Sequence, residues 1–92
     1  MEYVTLDLKA TGARIRELRV ARHLKVSDIV EVLGLSSEQA VYKWQRGECL
    51  PTVDNLYALS WLFETSVDDI LRGNKEEESE SSLLPVLGEK AA

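Results

Sequence analysis

The sequence predicts an all-α fold, a compact bundle of five short helices. Two observations carry that expectation. Between residues 11 and 73, apolar side chains recur three and four apart, the period of helices buried along one face. Capping residues and glycine stops cut the same stretch into five segments. A chain of 92 residues makes one small domain, and helices build a core from contacts close in sequence.

Residues 1–10 form an N-terminal arm. Glu2 to Leu8 alternates, with Val4, Leu6 and Leu8 on one side, which suits an extended arm or an edge strand. A loosely packed arm is favoured over a paired strand. Helix 1 is expected from Thr11, its cap, to Arg22, with Ile15, Leu18 and Ala21 inward. Helix 2 runs from Val26 to Leu33 with Ile29, Val30 and Leu33 inward, capped at Lys25 or Ser27. Helix 4 follows Pro51, is capped by Thr52, and buries Leu56, Leu59 and Phe63 or Leu62. Helix 5 is short, with Ser66 as cap, Asp69 at the third position, Val67, Ile70 and Leu71 packed, and Gly73 as stop. Residues 74–92 read as an acidic flexible tail. NKEEESESS has the composition of disorder, and LLPVL after it is too short to fold alone.

The stretch LGLSSEQAVYKWQRGECLP, Leu33 to Pro51, says the most. Gly34 closes helix 2 with a residue free to take positive φ. Ser36 fits an N-cap, with Gln39 three residues later completing a capping box. Helix 3 then runs from Gln39 to Arg46 and Gly47 ends it. Val41 and Trp44 share its buried face, while Gln39, Tyr42, Lys43 and Arg46 point to solvent. Two short helices across a tight glycine turn make a helix-turn-helix, whose second helix fits the DNA major groove.

Composition narrows the classes. No run of about 18 apolar residues exists, so no membrane span is expected. MEYVTLDLKAT lacks the basic and apolar regions of a secretory signal. Cys49 is the only cysteine, which excludes an internal disulfide and a cysteine zinc site, and a reducing cytoplasm is the default. With one His, one Cys and no paired inward carboxylates, nothing assembles as acid, base and nucleophile, so no enzyme, metal or cofactor is expected. Net charge is -5, but it is polarised. Over residues 9–25, Lys9, Arg14, Arg16, Arg19, Arg22 and Lys25 oppose only Glu17, a net of +5. Residues 74–92 carry -3, with Lys75 and Lys90 against Glu76, Glu77, Glu78, Glu80 and Glu89. An early basic face can bind phosphates on a protein that is acidic overall.

Thr11 to Gly73 resembles the Cro/C1-type (Xre-like) helix-turn-helix family of phage and bacterial repressors. The landmarks are Arg14-Ile15-Arg16 with Leu18 and Arg19, Leu33-Gly34, Gln39-Ala40-Val41 to Lys43-Trp44, Arg46-Gly47, Pro51, and Ser66-Val67 to Leu71, in order and at matching spacing. The resemblance implies a five-helix lambda-repressor-like DNA-binding domain over residues 11–73. It also implies that the start of helix 3 enters the major groove. By position, Ser37, Glu38, Gln39 and Lys43 then face base edges. Gln pairs with adenine, Lys favours guanine O6/N7, and Glu accepts from cytosine N4. Tyr42 and Arg46 lie against phosphate or sugar. The starts of helices 2 and 4, at Val26 and at Thr52 and Asn55, offer amides as phosphate clamps.

Three positions depart from the family pattern. Val26 stands where a phosphate-contacting Gln is common, so only its amide remains. Gln45 replaces the acid that usually pairs with a helix 1 arginine, so Arg19 is expected to brace the domain through a neutral hydrogen bond. Such a bond contributes about 1 kcal/mol against about 1.5–3 kcal/mol for a charge-assisted one. The turn Leu35 to Glu38 is one residue longer than the commonest spacing. Arg14, Arg16 and Arg22 are read as solvated, His23 as a helix-end cation, and Cys49 as a partly exposed thiol. Trp44 is core, and Trp61 is the better candidate for an interface.

The leading function is a sequence-specific DNA-binding transcriptional regulator, most simply a repressor, acting on double-stranded DNA as a homodimer through helix 5, Trp61 or the arm. The competing reading is a protein-interaction module, an antitoxin or adaptor on the same fold, with the acidic tail docking on a protein partner.

Overall fold

The computed structural model describes residues 4–74, and the expectations for residues 75–92, the Leu83–Leu87 patch included, lie outside them. Five helices follow in order: α1 (Leu8–Ala21), α2 (Val26–Leu33), α3 (Gln39–Arg46), α4 (Val53–Phe63) and α5 (Val67–Ile70). No regular strand occurs among the described residues.

α1 starts three residues earlier than the sequence suggested. Asp7, in extended conformation, is the cap, and its Oδ1 accepts from the Ala10 N–H at 2.9 Å. Thr11, expected as the cap, lies one turn inside the helix and is fully buried. Its hydroxyl accepts from the Arg72 N–H at 3.0 Å and donates to the Arg72 carbonyl at 3.3 Å. The buried face of α1 is therefore Thr11, Gly12 and Ile15, with Leu18 half-buried, and Ala21 points to solvent.

The arm is tied down. Leu6 bridges Gly73 in antiparallel fashion, Asp7 N–H donates to the Arg72 carbonyl at 2.7 Å, and Asn74 N–H to the Thr5 carbonyl at 2.9 Å. Gly73 serves this clasp and does not stop α5. That helix ends at Ile70, with Leu71 extended at φ -75°. Ser66 caps α5 by accepting from Asp69 N–H, and Thr52 caps α4 by accepting from Asn55 N–H, both as expected.

α2 opens at Lys25, whose N–H donates to the Asp28 carboxylate at 2.7 Å, and Ser27 plays no capping part. Two helix ends turn left-handed without glycine. His23 after α1 and Glu64 after α4 take positive φ, 60° and 55°. In each case the next N–H reaches back five residues, Leu24 to the Arg19 carbonyl and Thr65 to the Ser60 carbonyl. These closures satisfy orphan carbonyls and offset the cost of the left-handed residue.

The core joins Ile15 of α1, Val26 and Ile29 of α2, Val41 and Trp44 of α3, Leu56, Leu59 and Phe63 of α4, and Ile70 of α5. Full burial of each such side chain contributes about 1.5–3 kcal/mol. α1 packs chiefly on α3, so the third helix is held from behind by the first.

α5 is fixed to α1 by Arg14, which donates from Nε to the Asp69 carbonyl at 3.0 Å and from Nη2 to its carboxylate at 2.7 Å. Thr65 Oγ1 donates to the same carboxylate at 2.7 Å. The Thr65 hydroxyl, then Arg14, hold the Asp69 carboxyl below its ordinary value. A depressed folded-state value gives stability that is present above the ordinary aspartate range and lost as pH falls through the lowered value. Asp69→Asn should thus be less stable than wild type at pH 7, and the gap should close below about pH 4. Urea midpoints at the two pH values measure it.

Candidate nucleic-acid interface

α3 is amphipathic in the simplest way. Val41 and Trp44 are buried, and Gln39, Tyr42, Lys43 and Arg46, at positions i, i+3, i+4 and i+7, are exposed. Ser37 and Glu38 precede them and are exposed too. All six side chains proposed from sequence for this helix and its turn therefore lie outside, along one side of the molecule.

The start of α3 differs from the expected capping box. Ser36 lies in a bend three residues ahead of the helix, and Glu38 is the residue before it, already helical at φ -73° and ψ -15°. Ser37 Oγ accepts from the Gln39 N–H at 3.3 Å. Gln39 is the first helical position, so it cannot close a box with Ser36. Gly47 ends the helix at φ 79°, as read from sequence.

Two contacts fix α3 against the rest. Arg19 Nε donates to Gln45 Oε1 at 3.0 Å, and Arg19 Nη1 to the Leu24 carbonyl at 2.8 Å. This is the neutral brace expected from Gln45. Gly12 supplies the other. A Cβ there would fall onto the Trp44 carbonyl oxygen and lie 2.8 Å from that of Gln45. The first helix approaches the third at backbone distance, which only glycine permits. Sequence reasoning missed Gly12, although a glycine within a helical pattern is itself the signal.

A groove separates the start of α2 from α3, walled by His23, Lys25, Val26, Ser27, Glu38 and Tyr42. The Val26 side chain is buried in the core, so its contribution here is its amide. The first amides of a helix have no intrahelical acceptor and carry the positive end of its dipole. With Lys25 and exposed His23 beside them, the groove suits an anion, though Glu38 opposes it from the far wall. Lys25 and Ser27 were not assigned to this surface from sequence. At the start of α4, Thr52 is exposed and Asn55 half-exposed, and the Thr52 hydroxyl is engaged in capping.

The basic stretch is less free than its composition suggests. Arg14 pairs with Glu17 and Asp69, and Arg22 Nη2 pairs with Glu64 at 2.8 Å while its Nη1 donates to the Phe63 carbonyl. Arg14, expected to be solvated, is mostly covered and ties the middle of α1 to α5, whereas Arg22 is exposed as expected and links the ends of α1 and α4. Arg46 Nε donates to Glu48 Oε2 at 2.6 Å, and that guanidinium holds the Glu48 carboxyl below the ordinary range. Cys49 is exposed, as expected.

No protein-family model matches the chain. Among solved structures, the P22 c2 repressor protein, crystallised with a synthetic operator, is 32% identical, with a TM-score of 0.61 over 65% of this chain and 89% of that one. The chain belongs to the Cro/C1-type helix-turn-helix family. The restriction-modification controller protein C.AhdI from Aeromonas hydrophila is a further relative of this fold, 26% identical at a TM-score of 0.63 over 70% of this chain and 96% of that one. In sequence, the HTH-type transcriptional activator BcrR of Enterococcus faecalis is 28% identical over 78 residues. That match takes in 79% of this chain, which spans 38% of the length of BcrR. As in other Cro/C1-type chains, the fold is all-helical. Among the described residues no helix is long and apolar enough to cross a membrane.

Proposed function

We propose that this Cro/C1-type chain is a sequence-specific DNA-binding transcriptional regulator of the cytoplasm, a repressor that sets α3 in the major groove of double-stranded DNA. The observation that carries the reading is the uncovered polar side of α3, bordered by the amide-bearing start of α2. Gln39 and Lys43 read base edges, and Ser37 and Glu38 approach them from the turn. Tyr42, Arg46, Thr52, Asn55 and the Val26 amide hold the backbone. Blocking polymerase access would give repression. No catalytic role, cofactor or metal is assigned.

Selection of binding sites from random duplexes, followed by anisotropy titration, tests this. The expected result is one enriched motif bound saturably, with affinity falling steeply between about 50 and 200 mM salt. Failure to enrich any motif, with a protein co-purifying instead, would favour an adaptor or antitoxin role.

A homodimer is the assembly proposed, and the α4 surface is its contact. Val53, Tyr57 and Trp61, at i, i+4 and i+8, are 80%, 61% and 71% exposed, and the Tyr57 and Trp61 rings meet edge to face at 6.4 Å. Aromatic residues standing out of a small domain in this way are characteristic of interfaces. The other two candidates are less suitable: the arm is spent on residues 72–74, and Ile70 of α5 faces the core. Trp61→Glu should shift the chain to monomer in analytical ultracentrifugation. It should also weaken binding to a two-fold site about one helical turn between half-sites. A wild-type chain that sediments as a monomer at high concentration would refute the dimer.

A further inference from the structure

Arg46 closes the exposed face of α3, where a guanidinium is well placed to grip phosphate, yet its Nε edge is already occupied. It donates to Glu48 at 2.6 Å, with both side chains about half exposed. Backbone geometry sets the carboxylate there. Gly47 is left-handed, and the Gly47 and Glu48 N–H groups close on the Trp44 and Lys43 carbonyls at 3.0 and 2.9 Å. The turn carries Glu48 back beside the last turn of α3, within the field of Lys43 as well. A bidentate grip on phosphate uses parallel guanidinium N–H groups. Glu48 Oε2 and a phosphate oxygen therefore compete for Arg46 Nε.

We propose that Glu48 is a resident counter-anion of the reading helix, which occupies Arg46 Nε in the free protein and must release it before a phosphate is gripped along that edge. This rests on the DNA-binding function above. The exchange replaces one anion by another around Arg46 and leaves a bare carboxylate near the duplex. The acid therefore lowers affinity for any duplex, whatever its bases. It also flattens the response to salt. Each phosphate neutralised releases about 0.9 of a counterion, but a freed Glu48 takes a cation back up.

The test is anisotropy titration of the full chain with a selected duplex and an unrelated one, at several salt concentrations. Glu48→Gln should bind both duplexes about 3- to 10-fold tighter at about 50 mM salt, with the log–log salt slope steeper by up to about one. In an Arg46→Ala background the same substitution should gain less and leave the slope nearly unchanged. Both side chains are exposed, so the variants should melt like wild type. Unchanged affinity and slope in Glu48→Gln, with wild-type binding intact, would overturn the proposal while DNA binding stands. So would a gain that persists undiminished without Arg46, since the acid would then repel DNA directly. A wild-type chain that binds neither duplex would overturn the DNA-binding reading along with it.

Discussion

Gly12→Ala should destabilise the domain by about 2–3 kcal/mol, against the usual direction of such a change. In an ordinary helix interior, glycine to alanine gains about 0.5–1 kcal/mol from chain entropy and propensity. Here the new methyl would meet the carbonyl oxygens of Trp44 and Gln45, which are backbone atoms in the last turn of α3. A flexible side chain would swing away, but a helix carbonyl cannot. Relief requires α1 to move off α3, which opens the seam beside Ile15 and Val41, both fully buried. For a domain of this size the loss corresponds to a melting point lower by roughly 10–20 °C. Ala13→Gly, at the exposed neighbouring position, should cost only about 1 kcal/mol and serves as the control. A Gly12→Ala chain that melts at or above the wild-type temperature would show that the two helices are not held at backbone distance.

Gln39→Ala and Lys43→Ala should each weaken binding to a selected duplex by about 1–3 kcal/mol, roughly 5- to 150-fold, without lowering stability. Both side chains are exposed and neither makes a hydrogen bond or ion pair inside the described domain, so the loss belongs to the complex. The two should also fail differently from Arg46→Ala. A lost base contact relaxes preference at one position of the site. A lost phosphate contact weakens all duplexes alike and reduces the salt slope. Repeating the site selection with each variant separates these patterns. If Gln39→Ala and Lys43→Ala bind with unaltered affinity and preference, the reading surface is not on α3.

Much of the scaffold was legible because its signals are local. Thr52 and Ser66 each cap a helix by accepting from the N–H three residues on, which depends on residue type and spacing alone. Gly34 and Gly47 both take positive φ where the hydrophobic pattern stops. The Arg19–Gln45 brace followed from a single substitution in a known pattern. What failed depended on partners distant in sequence. Val4, Leu6 and Leu8 alternate as a strand does, and that concealed a helix already begun at Leu8, since the clasp pairing Leu6 with Gly73 spans most of the chain. Thr11 looked like a cap because nothing local reveals that Arg72 needs its hydroxyl. The partners of Arg14 and Arg22 were hidden because Asp69 and Glu64 lie more than forty residues away. At the candidate interface the exposed side of α3 was fully legible from its period. The groove against Lys25 and Ser27 was not, because it exists only once α2 and α3 are set side by side.

The Arg19–Gln45 bond has a last consequence. Its acceptor is uncharged, so neither ionic strength nor acidity between about pH 5 and 8 changes that side of the contact. The attachment of α3 to its own scaffold is thereby insulated from the electrolyte, whereas its hold on a polyanion is governed by it. Brine should strip such a complex apart while the released protein keeps its reading element rigidly mounted, ready to rebind on dilution.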